Sequence, residues 1–173
     1  MTNESEHQRE ILRARARALA RAPQVPAAAG DCLELVEFRL GPERYAVERR
    51  FVREVQPLKD LTPLPCTPAF VVGMVNVRGQ ILAVIDLKKI FDVPDTGMTD
   101  SHSIIILQVD DIELGILADT IDGVRCVPCS AIQTSLPTAA GIRAEYLRGI
   151  TAERLVVLDA AKILTDQRII VDE

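Results

Sequence analysis

Residues Pro68 to Leu87 read PAFVVGMVNVRGQILAVIDL: two apolar runs joined by the short turn Asn76-Val77-Arg78-Gly79, with Arg78 the only charge before Asp86. Apolar runs of this length on either side of an Asn/Gly turn predict a β-hairpin. One basic residue at the tip of an otherwise apolar ribbon is either a turn residue or a contact for another molecule. Gly79 suits a turn position that needs positive φ, and Gly73 suits a strand position that another stretch of backbone approaches closely.

Working outward, the chain from Asp31 onward consists of short β-like runs separated by Gly, Pro and Asp turns, without helix–strand alternation. Strands are predicted at Cys32 to Leu40, Arg44 to Val47, Phe51 to Val55, Val71 to Val77, Gln80 to Ile85, Ser103 to Val109, Ile112 to Leu117, Ile121 to Val127 and Leu155 to Leu158. Brief helices are predicted at Leu87 to Phe91 and Ala160 to Leu164, each after an Asp that can accept backbone hydrogen bonds. Phe38 to Val55 and Val109 to Val127 share a loose logic of strand, turn, strand and third strand, which points to a doubled architecture.

Before Asp31 the composition differs. Ser5 to Ala22 is rich in Ala, Arg, Leu and Glu, with Ile11, Leu12, Arg15 and Leu19 at helical spacing, and Pro23 to Gly30 reads as a linker. Residues 1–30 are thus expected to be a basic helix and linker, 31–166 the folded domain and 167–173 a tail. Arg9, Arg13, Arg17 and Arg21 fall roughly along one helical face, but its apolar face is mostly Ala, so membrane-surface binding is expected to be negligible.

Composition narrows the function. The chain has 173 residues, 48% of them hydrophobic, with a net charge of −5; five Arg and three acids fall in the first 30 residues, leaving the rest at −7. An acidic domain with 3% aromatic residues and no Trp is a poor nucleic-acid binder. No apolar run approaches the roughly 18 residues of a membrane span, and no secretory signal is evident, so a cytoplasmic location without membrane insertion is expected.

Catalytic constellations are hard to assemble. The two His, His7 and His102, support neither a triad nor a two-His zinc motif, and phosphate-cradling Gly loops are lacking. Asp110-Asp111 reads as a hairpin turn, and Asp86, Asp119, Asp122 and Asp159 as turn and cap residues. Cys126-Val127-Pro128-Cys129 has a spacing at which two thiolates can converge, which leaves a thiol-based redox or metal sensor as the alternative. Cys32 and Cys66 stand alone, and buried or half-buried thiols are the plainer reading.

The hairpin pattern of Pro-Ala-Phe, Gly, Asn-x-Arg-Gly and Ile-Asp-Leu resembles the signature of the CheW family, the bacterial chemotaxis coupling proteins. The resemblance covers about Leu33 to Leu164. It includes Phe38-x-Leu40-Gly41 with Tyr45-Ala46-Val47, Phe51 to Val55, Gly115 to Asp119, Asp122-Gly123-Val124, Tyr146 to Ile150 and Leu155 to Asp159. It implies a mainly β fold of two five-stranded SH3-like barrels sharing a core, with no catalytic activity and no cofactor. The implied partners are the cytoplasmic tip of a methyl-accepting chemoreceptor and the regulatory domain of a CheA-type histidine kinase, in arrays at the inner face of the membrane.

By the same resemblance, Val52, Gly73 and Arg78 fall where receptor and kinase contacts are affected, with Val55, Val75 and Asn76 as neighbours and Gly79 and Asp86 in turn-forming roles. Val52 and Val55 cannot both face one side of a regular strand, so one is expected to pack inward. Two departures stand out. The Pro common before Ile-Asp-Leu is replaced within Ala83-Val84-Ile85, which restores a backbone donor, and the chain carries the Arg-rich extension.

Overall fold

A computed structural model describes residues 31–95, 102–134 and 142–169. The helix expected over Ser5 to Ala22 lies outside them, as does the end of the expected tail. In chain order the elements are β1 (Cys32–Leu40), β2 (Glu43–Glu48), β3 (Val52–Pro57), β4 (Val71–Val77), β5 (Gln80–Ile85), α1 (Leu87–Ile90), β6 (Ser103–Val109), β7 (Ile112–Ala118), β8 (Thr120–Pro128), β9 (Ile132–Gln133), α2 (Ile142–Glu145), β10 (Leu147–Thr151), β11 (Val156–Leu158) and α3 (Ala160–Thr165).

The strands form two sheets, a six-stranded one in the order β8-β1-β2-β11-β10-β9 and a five-stranded one in the order β3-β6-β7-β5-β4. The mainly β expectation is met; one sheet has six strands because the two-residue β9 pairs with β10. Neighbours pair antiparallel except β2 with β11 and β5 with β7, which are parallel.

The central strands of each sheet are buried on both faces, which explains their unbroken apolar runs. In β6, Ile105 and Leu107 enter a core that draws side chains from both sheets, whereas Ile104 and Ile106 enter a cluster made by the five-stranded sheet alone. In β1, Val36, Phe38 and Leu40 join the shared core, and Leu35 joins a third cluster confined to the six-stranded sheet. A row of rings crosses the shared core: Phe38 to Tyr45 at 6.2 Å, Tyr45 to Phe91 at 5.9 Å and Phe91 to Tyr146 at 6.2 Å. Burial pushes the Tyr45 phenol well above its ordinary range. Ile169 also packs into this core, past the expected domain end.

The two sheets repeat one plan. Replacing β3, β6, β7, β5 and β4 by β8, β1, β2, β11 and β10 converts one sheet order into the other, with β9 left over. The irregularities match too. Register shifts between Val52 and Glu54 in β3 and between Ile121 and Gly123 in β8, and again between Val71 and Gly73 in β4 and between Leu147 and Gly149 in β10. Asp86 caps α1 and Asp159 caps α3; their N–H groups donate to Phe70 O at 2.7 Å and Tyr146 O at 2.8 Å. The similarity between Phe38 to Val55 and Val109 to Val127 reflects this repeat, each segment being a hairpin of one sheet followed by a strand of the other.

Asp119 marks the passage from β7 to β8, between sheets, and is more than the expected turn residue. It is buried, pairs with Lys88 Nζ at 2.9 Å and accepts the Gly41 N–H at 2.6 Å. Burial alone would lower the Lys88 pKa; the Asp119 carboxylate outweighs it and holds Lys88 above its ordinary value.

Candidate functional site

The β4–β5 hairpin closes with the pair Val77 and Gln80, leaving a two-residue loop of Arg78 (φ 51) and Gly79 (φ 88). Positive φ at both positions matches the right-handed twist of the strands. Gly79 accepts it freely, as expected; Arg78 does so against a cost of about 1–2 kcal/mol for a residue with a Cβ. Asn76 holds the loop, its Oδ1 accepting the Gly79 N–H at 2.9 Å.

The loop points Arg78 into solvent, 77% exposed, yet Nη2 lies 3.0 Å from Glu54 Oε2 on β3. β3 and β4 are opposite edges of the five-stranded sheet. Flat, with strands about 4.8 Å apart, those edges would be too distant for one side-chain pair, so the sheet curls and the bridge ties its edges. Next along, Arg53 Nη1 contacts Gln80 Oε1 and the Glu113 carboxylate, all at 2.7 Å.

The remaining expected contact residues divide sharply. Val55 is 40% exposed beside Glu54, whereas Val52 packs against the shared core, so the one that faces inward is Val52. Val75 is buried in the cluster of the five-stranded sheet. Gly73 (φ 155) is needed for a close approach: Met74 and Thr62 exchange two backbone hydrogen bonds of 2.8 Å, and a Cβ on Gly73 would stand 2.3 Å from Thr62 O. Asp86 accepts the Lys88 N–H at 2.9 Å as the cap of α1, and burial raises its pKa.

Two features escaped the sequence reading. Glu54 stood there only as part of the strand Phe51 to Val55, because its partner Arg78 lies 24 residues away and only the curl of the sheet brings the two together. Ile81 is 67% exposed on a cleft of about 440 Å³ lined also by Gln108, Asp111 and Glu113. It is the second residue of β5, next to the hairpin tip, where an apolar run that is buried further along already reaches solvent.

Contrary to expectation Cys32 does not stand alone, whereas Cys66 is a free thiol. Cys126 is paired as a disulfide with Cys32, across β1 and β8 with Cα atoms 5.9 Å apart, and Cys129 is a free thiol. Cys126 is thus joined to Cys32 rather than to Cys129: the antiparallel register sets Cys126 opposite Glu34, diagonal to Cys32. This disulfide is no evidence of redox sensing. Among the described residues no group of three or more His, Cys, Asp and Glu is placed to hold a metal ion, and no helix is long and apolar enough to cross a membrane.

The sequence profile of the CheW-like domain matches residues 34–168, nearly all of the β architecture. The chain belongs to the CheW-like family. This CheW-like chain is 33% identical over 154 residues to Chemotaxis protein CheW of Treponema pallidum, covering 84% of the chain and 91% of the relative. It is 30% identical to Protein FrzA of Myxococcus xanthus, covering 76% and 84% respectively. Among solved structures, the scaffolding protein TtCheW from Thermoanaerobacter tengcongensis superposes with a TM-score of 0.63 at 30% identity, covering 73% of this chain and 88% of that one. The CheW-like match includes β3 and the β4–β5 hairpin, so the Arg78–Glu54 corner lies inside the family domain.

Proposed function

We propose that this CheW-like chain is a non-catalytic chemotaxis adaptor that couples the cytoplasmic tip of a methyl-accepting chemoreceptor to the regulatory domain of a CheA-type histidine kinase. Its place of work is the cytoplasm, in receptor–kinase arrays at the inner face of the membrane. Family membership supports the reading, as do relatives named for chemotaxis and a neighbour described as a scaffold.

The observation that carries it is the Arg78 corner. A guanidinium held at positive φ, tethered by Glu54 and flanked by the exposed Val55, is a charge presented in a fixed place. A tethered cation loses less entropy on meeting a partner carboxylate or carbonyl than a free one does. Arg78, Asn76 and Val55 are the solvent-facing members of the contact set, and Val52, Gly73 and Val75 hold that surface from behind. Ile81 and Ile112 supply apolar anchors for a second partner.

Titrating labelled full-length protein with a receptor helical hairpin and, separately, with the kinase regulatory domain tests the proposal. Both should bind, at sites that can be filled together, and Arg78→Glu should weaken at least one. Absence of binding to either cognate fragment would sink the adaptor reading.

A further inference from the structure

The repeat gives the Arg78 corner a counterpart whose charge is unspent. Matching the bulges places Val124 where β3 has Val55, and the two are 57% and 40% exposed. Gly149 corresponds to Gly73, and each would drive a Cβ into backbone, at 2.7 Å from Gln133 O and 2.3 Å from Thr62 O. Counting on from those glycines to the hairpin tips brings Arg154 (φ 62) onto Arg78 (φ 51).

The difference lies in the partner. Gly123 stands where β3 carries Glu54, so Arg154 has no carboxylate opposite it. The second tip is tied to its edge strand with reversed polarity: Glu153 Oε2 meets Arg125 Nη2 at 3.0 Å, the length of the Arg78–Glu54 bridge. The Arg154 side chain is exposed and makes no hydrogen bond, ion pair or ring contact among the described residues.

Arg154 borders a cleft of about 480 Å³ with Pro42, Ile150 and Val156 as apolar lining. Arg143, held by Glu43 at 2.6 Å, and Arg44, held by Glu37 at 2.8 Å, are further lining residues. Three guanidiniums against the carboxylates of Glu43 and Glu153 leave the lining net cationic, on a stretch from 31 to 173 that is net −7. A locally reversed charge over apolar lining favours an anionic, partly apolar partner and repels basic ones.

We propose that this cleft is a further protein-docking surface, taking a partner segment with carboxylates beside an aliphatic side chain. Arg154 meets a carboxylate without breaking an existing pair, and the aliphatic group covers Ile150 and Val156. The inference goes beyond the adaptor reading and does not depend on the Arg78 corner.

The test titrates full-length protein with a synthetic Glu/Leu peptide and its Lys-for-Glu counterpart, following backbone amide shifts at low and high salt. The acidic peptide should shift Ile150, Arg154 and Val156, bind more weakly in salt and leave the Arg78 hairpin unmoved. Arg154→Gly removes the cation and suits the positive φ. It should melt no lower than the parent and bind the peptide about tenfold more weakly or worse. Arg154→Glu should abolish binding. Absence of shifts up to about 1 mM peptide, equal binding of the Lys peptide, or binding unchanged by either variant would overturn the proposal.

Discussion

Arg78 Nη2 stands 3.0 Å from Glu54 Oε2, so the tip of one hairpin is bonded to the far edge of its own sheet. With Arg78 77% exposed, the bridge contributes at most about 1 kcal/mol to stability. Arg78→Glu, which sets like charges together at an exposed site, should lower the unfolding free energy from urea titration by only about that much. Combined with Glu54→Arg, the swap should restore stability without restoring partner binding, because the exposed charge stays reversed. If the swapped pair binds as the parent does, the bridge matters and the exposed sign does not.

Gly73 is held by geometry. Its φ of 155 and the 2.3 Å that would separate an added Cβ from Thr62 O predict that Gly73→Ala costs about 2–4 kcal/mol, by strain or by separating the 58–63 segment from β4. Denaturant unfolding would measure the loss, and hydrogen exchange at Met74 and Thr62 would report the released pair. An unchanged midpoint contradicts the close approach.

Val55 and Val75 separate surface from core. Val75→Ala, at a site 2% exposed, should cost about 1–3 kcal/mol, and any effect on binding should follow that loss. Val55→Ala should cost under about 0.5 kcal/mol yet weaken partner binding. Equal stability losses in calorimetry would contradict the assignment.

Asp166 gives the fold an acid-sensitive clasp. Arg168 at 2.6 Å and the Tyr146 hydroxyl hold its carboxyl well below the usual range, and burial with Asp166 pushes Tyr146 up to about 12. A carboxylate whose folded pKa is depressed stabilises fully above its unfolded pKa, near 3.9, and loses that contribution as pH falls through the folded value. Asp166→Asn should lower the melting temperature at pH 7, and the difference from the parent should shrink steadily as pH falls below about 3.9. Parallel curves across that range would contradict the linkage.

Much of the fold is legible because strand period and turn chemistry are local. VVGMVNV and QILAVI flank a loop that needs positive φ, and the run IIIL in β6 reads as a strand covered on both faces. The closing hairpin is less so. Leu147 to Thr151 carries an Arg and a Gly in five residues, and β9 is two residues long, so neither has a period to detect. Long-range pairings are harder again. Cys32 and Cys126 lie 94 residues apart and meet through the β1–β8 register, and the burial of Lys88 and Asp119 depends on where the two sheets join. At the candidate site the exposed Arg78 could be read from the tip, but Val52 and Val55 could be sorted only once the shared core was placed.

Kinase autophosphorylation with receptor, measured with this protein, without it and with the Arg78→Glu variant, is the decisive experiment for coupling. Stimulation should require the protein and fall severalfold, by about 1 kcal/mol or more in coupling, with the folded variant. Equal activity in all three mixtures, with a cognate receptor and kinase, would contradict coupling.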